Sequence, residues 1–151
     1  MFKKILCPVD FSEFTKDVVA YAADISRQYG AELHVLHVIP NLTYFTPYES
    51  FLTPENLVAM EKNIQDEVDR DFKKVLSAVG IDVRKVVRTG VAFVEIIDYA
   101  KTEGIDLIVM GTHGRSGIEH ILIGNVAEKV VRKSPCPVMT IRPRGKEFKM
   151  P

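Results

Sequence analysis

Residues 106–127 read DLIVMGTHGRSGIEHILIGNVA. An apolar run from Ile105 to Met110 passes into a loop with glycines at 111, 114 and 117. A short apolar segment, a fourth glycine at 124 and a helical pattern from Asn125 follow. That order is strand, loop, helix start. Glycine has no Cβ, so four of them in fourteen residues let the main chain come close to a ligand. Main-chain N–H groups in such turns, and those opening the next helix, attract phosphate oxygens. The stretch therefore reads as an anion-binding corner, against the plainer reading of a tight strand-to-helix connection.

Two common phosphate motifs are absent. No Gly-Lys-Ser/Thr triplet occurs anywhere in the chain, which removes the Walker A loop. The first strand, KKILCPVD, carries none of the glycines of a GxGxxG turn.

Outward from this corner the chain alternates strand and helix. Residues 3–9 and Leu33–Ile39 are apolar runs of the kind buried on both faces of a parallel sheet. Between them a helix is expected from Ser12, as cap, to Tyr29, with Val18, Ala22, Ile25 and Tyr29 on one stripe and Gly30 stopping it. Thr53 and Pro54 open the longest helix, in which Leu57, Met60, Ile64, Val68, Phe72, Val75 and Val79 recur every three or four residues before Gly80. Ile81–Arg88 reads as strand three, Ala92–Glu103 as a helix ended by Gly104, and Ile105–Met110 as strand four. Asn125–Lys133 is the last helix and Pro137–Ile141 the last strand. Five strands separated by helices call for right-handed crossovers and a parallel sheet covered by helices on both faces. Ligands of such sheets bind beyond the carboxyl ends of the strands, where the winding reverses.

The outer limits agree. With 151 residues the chain fits one domain, residues 1–143, followed by a polar tail, 144–151. Twenty basic residues balance twenty acidic ones, so nothing in the charge points to nucleic acid or a membrane surface. MFKKILCPVDFSE reaches proline and aspartate too soon for a signal peptide, and a cytoplasmic location is expected. Cys7 and Cys136 lie in apolar runs, as small hydrophobes rather than a disulfide or metal pair. His34 and His37 project from opposite faces of one strand and do not jointly hold a metal; His120 has no evident partner.

The residues of the corner, taken with ILCPVDFS, LHVI and KSPCPVMTIRP, resemble the universal stress protein family, and within it the ATP-binding subgroup. Gly111, Gly114 and Gly124 stand at the spacing of that family's nucleotide loop, GxxG, nine residues, Gly-Ser/Thr, with Asn125 in the Ser/Thr place. The likeness runs from Phe2 to about Arg142. It implies an adenine nucleotide alpha hydrolase-like, Rossmann-like sheet of order 3-2-1-4-5, which sets Asp10 beside Gly111. It implies ATP, with or without Mg²⁺, as the ligand, and a homodimer joined through the last strands, whose apolar edge would otherwise be open. On this resemblance Pro8, Val9 and Val38 form the apolar wall at the base. Met110, Gly111, Thr112, His113, Gly114, Arg115, Ser116 and Gly117 form the loop, and Gly124, Asn125, Val126 and Ala127 the phosphate end.

Asp10 can accept ribose hydroxyls or help hold Mg²⁺, or it can serve the helix that follows. Arg115 and Ser116 can meet phosphate or solvent. The Asn125 amide can donate to phosphate or cap the helix as a hydroxyl would. With no Walker lysine and no paired base, the expected role is a nucleotide-dependent regulatory switch with hydrolysis absent or slow. The alternatives are a dimeric interaction module that binds no nucleotide, and a slow ATPase. Tyr44, Phe45, Tyr48 and Phe51, in the segment 40–54, can form a lid, a dimer contact or a partner surface.

Overall fold

The computed structural model describes residues 1–41, 53–112 and 123–142. Residues 42–52 and 113–122 and the tail from 143, for which the sequence raised expectations, lie outside them. Five strands alternate with four helices: β1 (Lys4–Val9), α1 (Thr15–Tyr29), β2 (Glu32–Ile39), α2 (Pro54–Leu76), β3 (Val83–Thr89), α3 (Ala92–Thr102), β4 (Leu107–Gly111), α4 (Asn125–Lys133) and β5 (Val138–Ile141). All pairings are parallel, and the order is β3-β2-β1-β4-β5, the one the family resemblance implies.

Alternation along the central strands builds two cores. Ile5, Cys7 and Val9 of β1, Leu33 and Val35 of β2, and Leu107 and Val109 of β4 face α1 and α2, meeting Val19, Ala22 and Phe72. Leu6, Leu36, Ile108 and Met110 face the other way, onto Ile96 and Tyr99 of α3 and Ala127 and Val130 of α4. Side chains two apart share a face and neighbours do not, so a run apolar at every position is what a sheet covered on both sides requires. Burial pushes the Cys7 thiol up to about 12, which makes it an inert core group.

Pro8 shapes the middle of the sheet. The Lys3 carbonyl accepts from Glu32 on the β2 side and the Lys4 carbonyl from Asp106 on the β4 side. By alternation Pro8 therefore faces β4, and it has no N–H to give. The β1–β4 ladder stops at Leu6↔Ile108, short of both strand ends, whereas β1–β2 continues to Val9↔His37. A proline that would be out of place in most central strands is tolerated here because a crevice begins at this point. At the opposite end, Asp106 Oδ2 accepts the N–H groups of Lys3 and Lys4 at 2.8 and 2.9 Å. These two bonds draw its carboxyl below the usual range and fasten β1 to β4.

Two sequence expectations are corrected. The first helix is not capped by the Ser12 side chain: it begins at Thr15, whose N–H bonds the Ser12 carbonyl at 3.0 Å. Asp10 Oδ1 takes the Ser12 N–H instead, at 2.9 Å, and a carboxylate two residues back is the stronger acceptor. In α2, Thr53 does cap the helix, through its hydroxyl and the Asn56 N–H, but the expected stripe is buried within the helix only at Val68 and Phe72, and beyond its end at Val79. Leu57 and Met60 are 42% and 38% exposed. A helix of 23 residues spans about 35 Å at 1.5 Å per residue, while strands of this sheet reach about 25 Å. The first turns of α2 overhang the carboxyl edge, and its last turn ends at Leu76 rather than Val79.

Candidate functional site

A cleft of about 320 Å³ opens at the carboxyl edge, where the chain leaves β1 toward β2 on one side and β4 lies on the other. Its base is apolar: Pro8 and Val9 from β1, Leu36 and Val38 from β2, Ile96 from α3 and Met110 from β4. Val9, Met110 and Ala127 are almost wholly buried and belong to the cores as much as to the cleft. The polar groups stand on the two flanks. Asp10, Ser12 and Thr15 lie on the β1–α1 side, and Thr112 and Asn125 on the β4–α4 side.

Of the residues the sequence assigned, Pro8, Val9, Asp10, Val38, Met110, Gly111, Thr112, Gly124, Asn125, Val126 and Ala127 all line this one cleft. His113, Gly114, Arg115, Ser116 and Gly117 fall outside the described residues. Sequence reasoning did not name Ser12, Phe14, Thr15, Val18, Leu36, His37, Ala92 or Ile96 as lining residues. The strand order was the available signal, because it brings every strand-to-helix junction, including the start of α3, to the same edge.

Of the two roles left open for Asp10, the one toward the following helix is seen. Oδ1 accepts from the Ser12 N–H and, at 3.2 Å, from the Thr15 hydroxyl, while the residue still borders the cleft. Next to it Phe11 adopts φ 57°, the left-handed region that a bulky residue seldom enters. Its ring packs against His37 at 4.4 Å and edge-on to Phe72 at 5.1 Å, contacts that hold the turn in place. His37 donates from Nδ1 to the Val9 carbonyl at 2.9 Å, since a carbonyl only accepts.

The other flank is tied at its root. The Thr112 carbonyl accepts the Gly124 N–H at 2.6 Å, and the Thr112 N–H reaches Ile141 of β5 at 3.0 Å. Residues 112 and 124 are thus hydrogen-bonded to each other. Here the sequence argument needs correcting. Gly124 sits at φ −70°, ψ 156°, open to any residue, and the positive-φ glycines among the described residues are Gly30, Gly80, Gly90 and Gly104. Glycine is not required at 111 or 124 for its dihedrals. The Gly124 N–H is also committed to Thr112, so the donors that α4 can present are those of Asn125, Val126 and Ala127, the first-turn groups with no carbonyl inside the helix. The positive end of the helix dipole points the same way. Gly124 gives α4 no side-chain cap, and an acceptor from a ligand can take that place. Among the described residues no group of three acidic, histidine or cysteine side chains is arranged to hold a metal, and no helix is long and apolar enough to cross a membrane.

Comparison with known proteins gives the same picture. Residues 1–142 match the model of the universal stress protein family. The chain is 31% identical over 147 residues to universal stress protein MJ0531 of Methanocaldococcus jannaschii, covering 97% of this chain and 86% of that one. The solved structure of MJ0577 from the same organism superposes with a TM-score of 0.76 at 32% identity, over 96% and 99% of the two chains. The Archaeoglobus fulgidus universal stress protein, solved in complex with dAMP, shares the fold at a TM-score of 0.58 and 20% identity, over 92% of this chain and 97% of its own.

Proposed function

We propose that this chain, which belongs to the universal stress protein family, binds an adenine nucleotide, ATP above all, in the cleft between the ends of β1 and β4 and acts as a nucleotide-dependent switch. One observation carries the reading: the first turn of α4 and the end of β1 face a single cleft at the point where the winding reverses. Its volume is within the range of small-molecule sites, and its apolar base beside a few polar groups is their usual composition. Pro8, Val38, Ile96 and Met110 fit a purine ring. Asp10 fits a ribose hydroxyl, its carboxylate already oriented by Ser12 and Thr15. The N–H groups of Asn125 to Ala127, with the amide of Asn125, fit phosphate oxygens. No lysine or arginine is among the described residues that line the cleft; the groups we assign to the phosphate charge are main-chain donors, Mg²⁺ brought with the nucleotide, and Arg115. That donor set suits holding a nucleotide better than transferring its phosphate. The dAMP complex of a protein sharing this fold supports the class of ligand.

The reading is tested by thermal melting with nucleotide. ATP with Mg²⁺ at about a hundred times its dissociation constant adds about 2.7 kcal/mol to the folded state, a rise of several degrees in Tm. No rise at millimolar ATP would leave the family's other role, an interaction module that binds no nucleotide.

The partner we propose is a second copy paired along β5. The carbonyls of Pro137 and Ile141 face β4, so by alternation Val138 and Thr140 turn their main-chain groups outward, beside an exposed Met139. Thr140→Pro removes one outward N–H and leaves the β4 ladder intact. Sedimentation equilibrium is expected to show a dimer for the parent chain and a monomer for this variant. Equal masses for the two would place the contact elsewhere.

A further inference from the structure

Beneath the cleft, His34 lies wholly buried in β2. Its Nδ1 is 2.8 Å from the Tyr99 hydroxyl of α3. Its Nε2 is 3.0 Å from Glu32 Oε1, within ion-pair range but off the line of a hydrogen bond, so Nε2 is a buried polar atom without a true hydrogen-bond partner. The carboxylate beside Nε2 favours a proton there, which leaves Nδ1 to accept from Tyr99. In that state the bond fastens α3 to the sheet, and α3 carries Ala92 and Ile96 into the cleft.

A second proton on the ring would reverse the arrangement. Nδ1 becomes a donor, the Tyr99 hydroxyl must turn, and its own hydrogen loses its buried acceptor. The surrounding charges do not compensate fully. Glu32 on β2 attracts the imidazolium but is half-exposed. On β3, Arg84 is register partner to His34, and Arg88 lies over the Tyr99 ring at 5.3 Å. On α3, Glu103 is engaged by Arg84 at 3.0 Å, and Glu95 and Asp98 by Arg88 at 3.6 and 3.5 Å. On β1, Lys4 pairs across from Glu32 and donates to the Glu103 carbonyl. The nearest carboxylates of α3 are thus already matched by arginines.

We propose that the Glu32–His34–Tyr99 chain is an acid-releasable fastener: protonation of His34 frees α3 from the sheet and loosens one wall of the cleft while the rest of the sheet stays closed. Burial holds the His34 pKa below its ordinary 6.5, with Glu32 opposing in part. For a base with a depressed folded pKa, the stabilisation is complete above about pH 6.5 and is lost as the pH falls toward the folded value. The inference concerns the ligand-free protein and stands or falls apart from nucleotide binding.

Hydrogen exchange followed by mass spectrometry tests it on the full chain without nucleotide, from pH 7.5 to 4.5, with intrinsic rates corrected. Protection over 92–102 is expected to fall by about tenfold or more between about pH 6.5 and the midpoint at which ring NMR shifts report His34 taking up its second proton, and to level off below that midpoint, with β1 and β4 still protected. In His34→Gln, neutral at every pH, the protection of α3 is expected to stay level. The proposal is overturned if α3 is as protected at the His34 midpoint as at pH 7.5, if the loss continues below that midpoint without levelling off, or if all strands open together. It is equally overturned if the acid loss persists in His34→Gln. Should that variant not fold, the pH at which the wild-type loss levels off, set against the His34 midpoint, decides by itself.

Discussion

Gly124→Val is expected to leave the chain folded and to weaken ATP binding roughly 30- to 1000-fold, about 2–4 kcal/mol. Folding survives because φ −70° and ψ 156° are comfortable for a β-branched residue, and the N–H bond to the Thr112 carbonyl is untouched. Binding suffers because Gly124 borders the cleft at the foot of α4. Two methyl groups there occupy the approach to the N–H groups of Asn125 to Ala127, and a phosphate kept at a distance loses charge-assisted bonds. Circular dichroism and melting establish the fold of the variant, and titration calorimetry measures the affinity. An affinity equal to that of the parent would move the phosphate site away from this corner.

Phe72→Ala has the largest effect expected on stability. Of the 23 residues of α2, only Val68 and Phe72 are buried, and Phe72 is 1% exposed against the first core. Its ring also supports Phe11, which holds the left-handed turn after Asp10. Truncation is expected to cost about 3–5 kcal/mol, a large share of the 5–15 kcal/mol typical of a domain, and to lower Tm by roughly 10 °C. Urea denaturation measures it, with Leu57→Ala in the overhanging turns as the comparison. That change is expected to stay within about 0.5 kcal/mol. Equal losses in the two variants would mean that the first turns of α2 are packed after all.

The contrast between these two residues marks what could be read from the chain. The order of elements was legible because β1 and β4 are apolar at successive positions and the helices repeat every three or four. The height of the sheet relative to α2 was not, since it depends on the lengths of strands packed beneath. Leu57 and Phe72 therefore looked alike in one stripe, although only Phe72 has the sheet under it. In the same way Asp10 and Ser12 both looked like helix caps, and the choice between them rests on which acceptor reaches the Ser12 N–H in three dimensions. The left-handed Phe11 has no local signal at all, because nothing in an aromatic side chain favours positive φ.

At the cleft, the glycine pattern led to the corner for a reason that needed revision. Neither Gly111 nor Gly124 takes a positive φ, so unusual dihedrals do not explain glycine at these two cleft-lining positions. The strand order from the family resemblance brought Asp10 and Gly111 to one cleft. Ala92 and Ile96 went unnamed because no motif marks the start of α3; only the strand order brings that junction to the same edge as the cleft.

The central claim is that the described cleft receives an adenine nucleotide, phosphates against the first turn of α4. Titration calorimetry of the folded chain with ATP and MgCl₂ tests it most directly. A saturable heat with one nucleotide per chain, lost in Gly124→Val, is the result expected. A folded protein that gives no heat at millimolar ATP, with no rise in melting temperature, contradicts it.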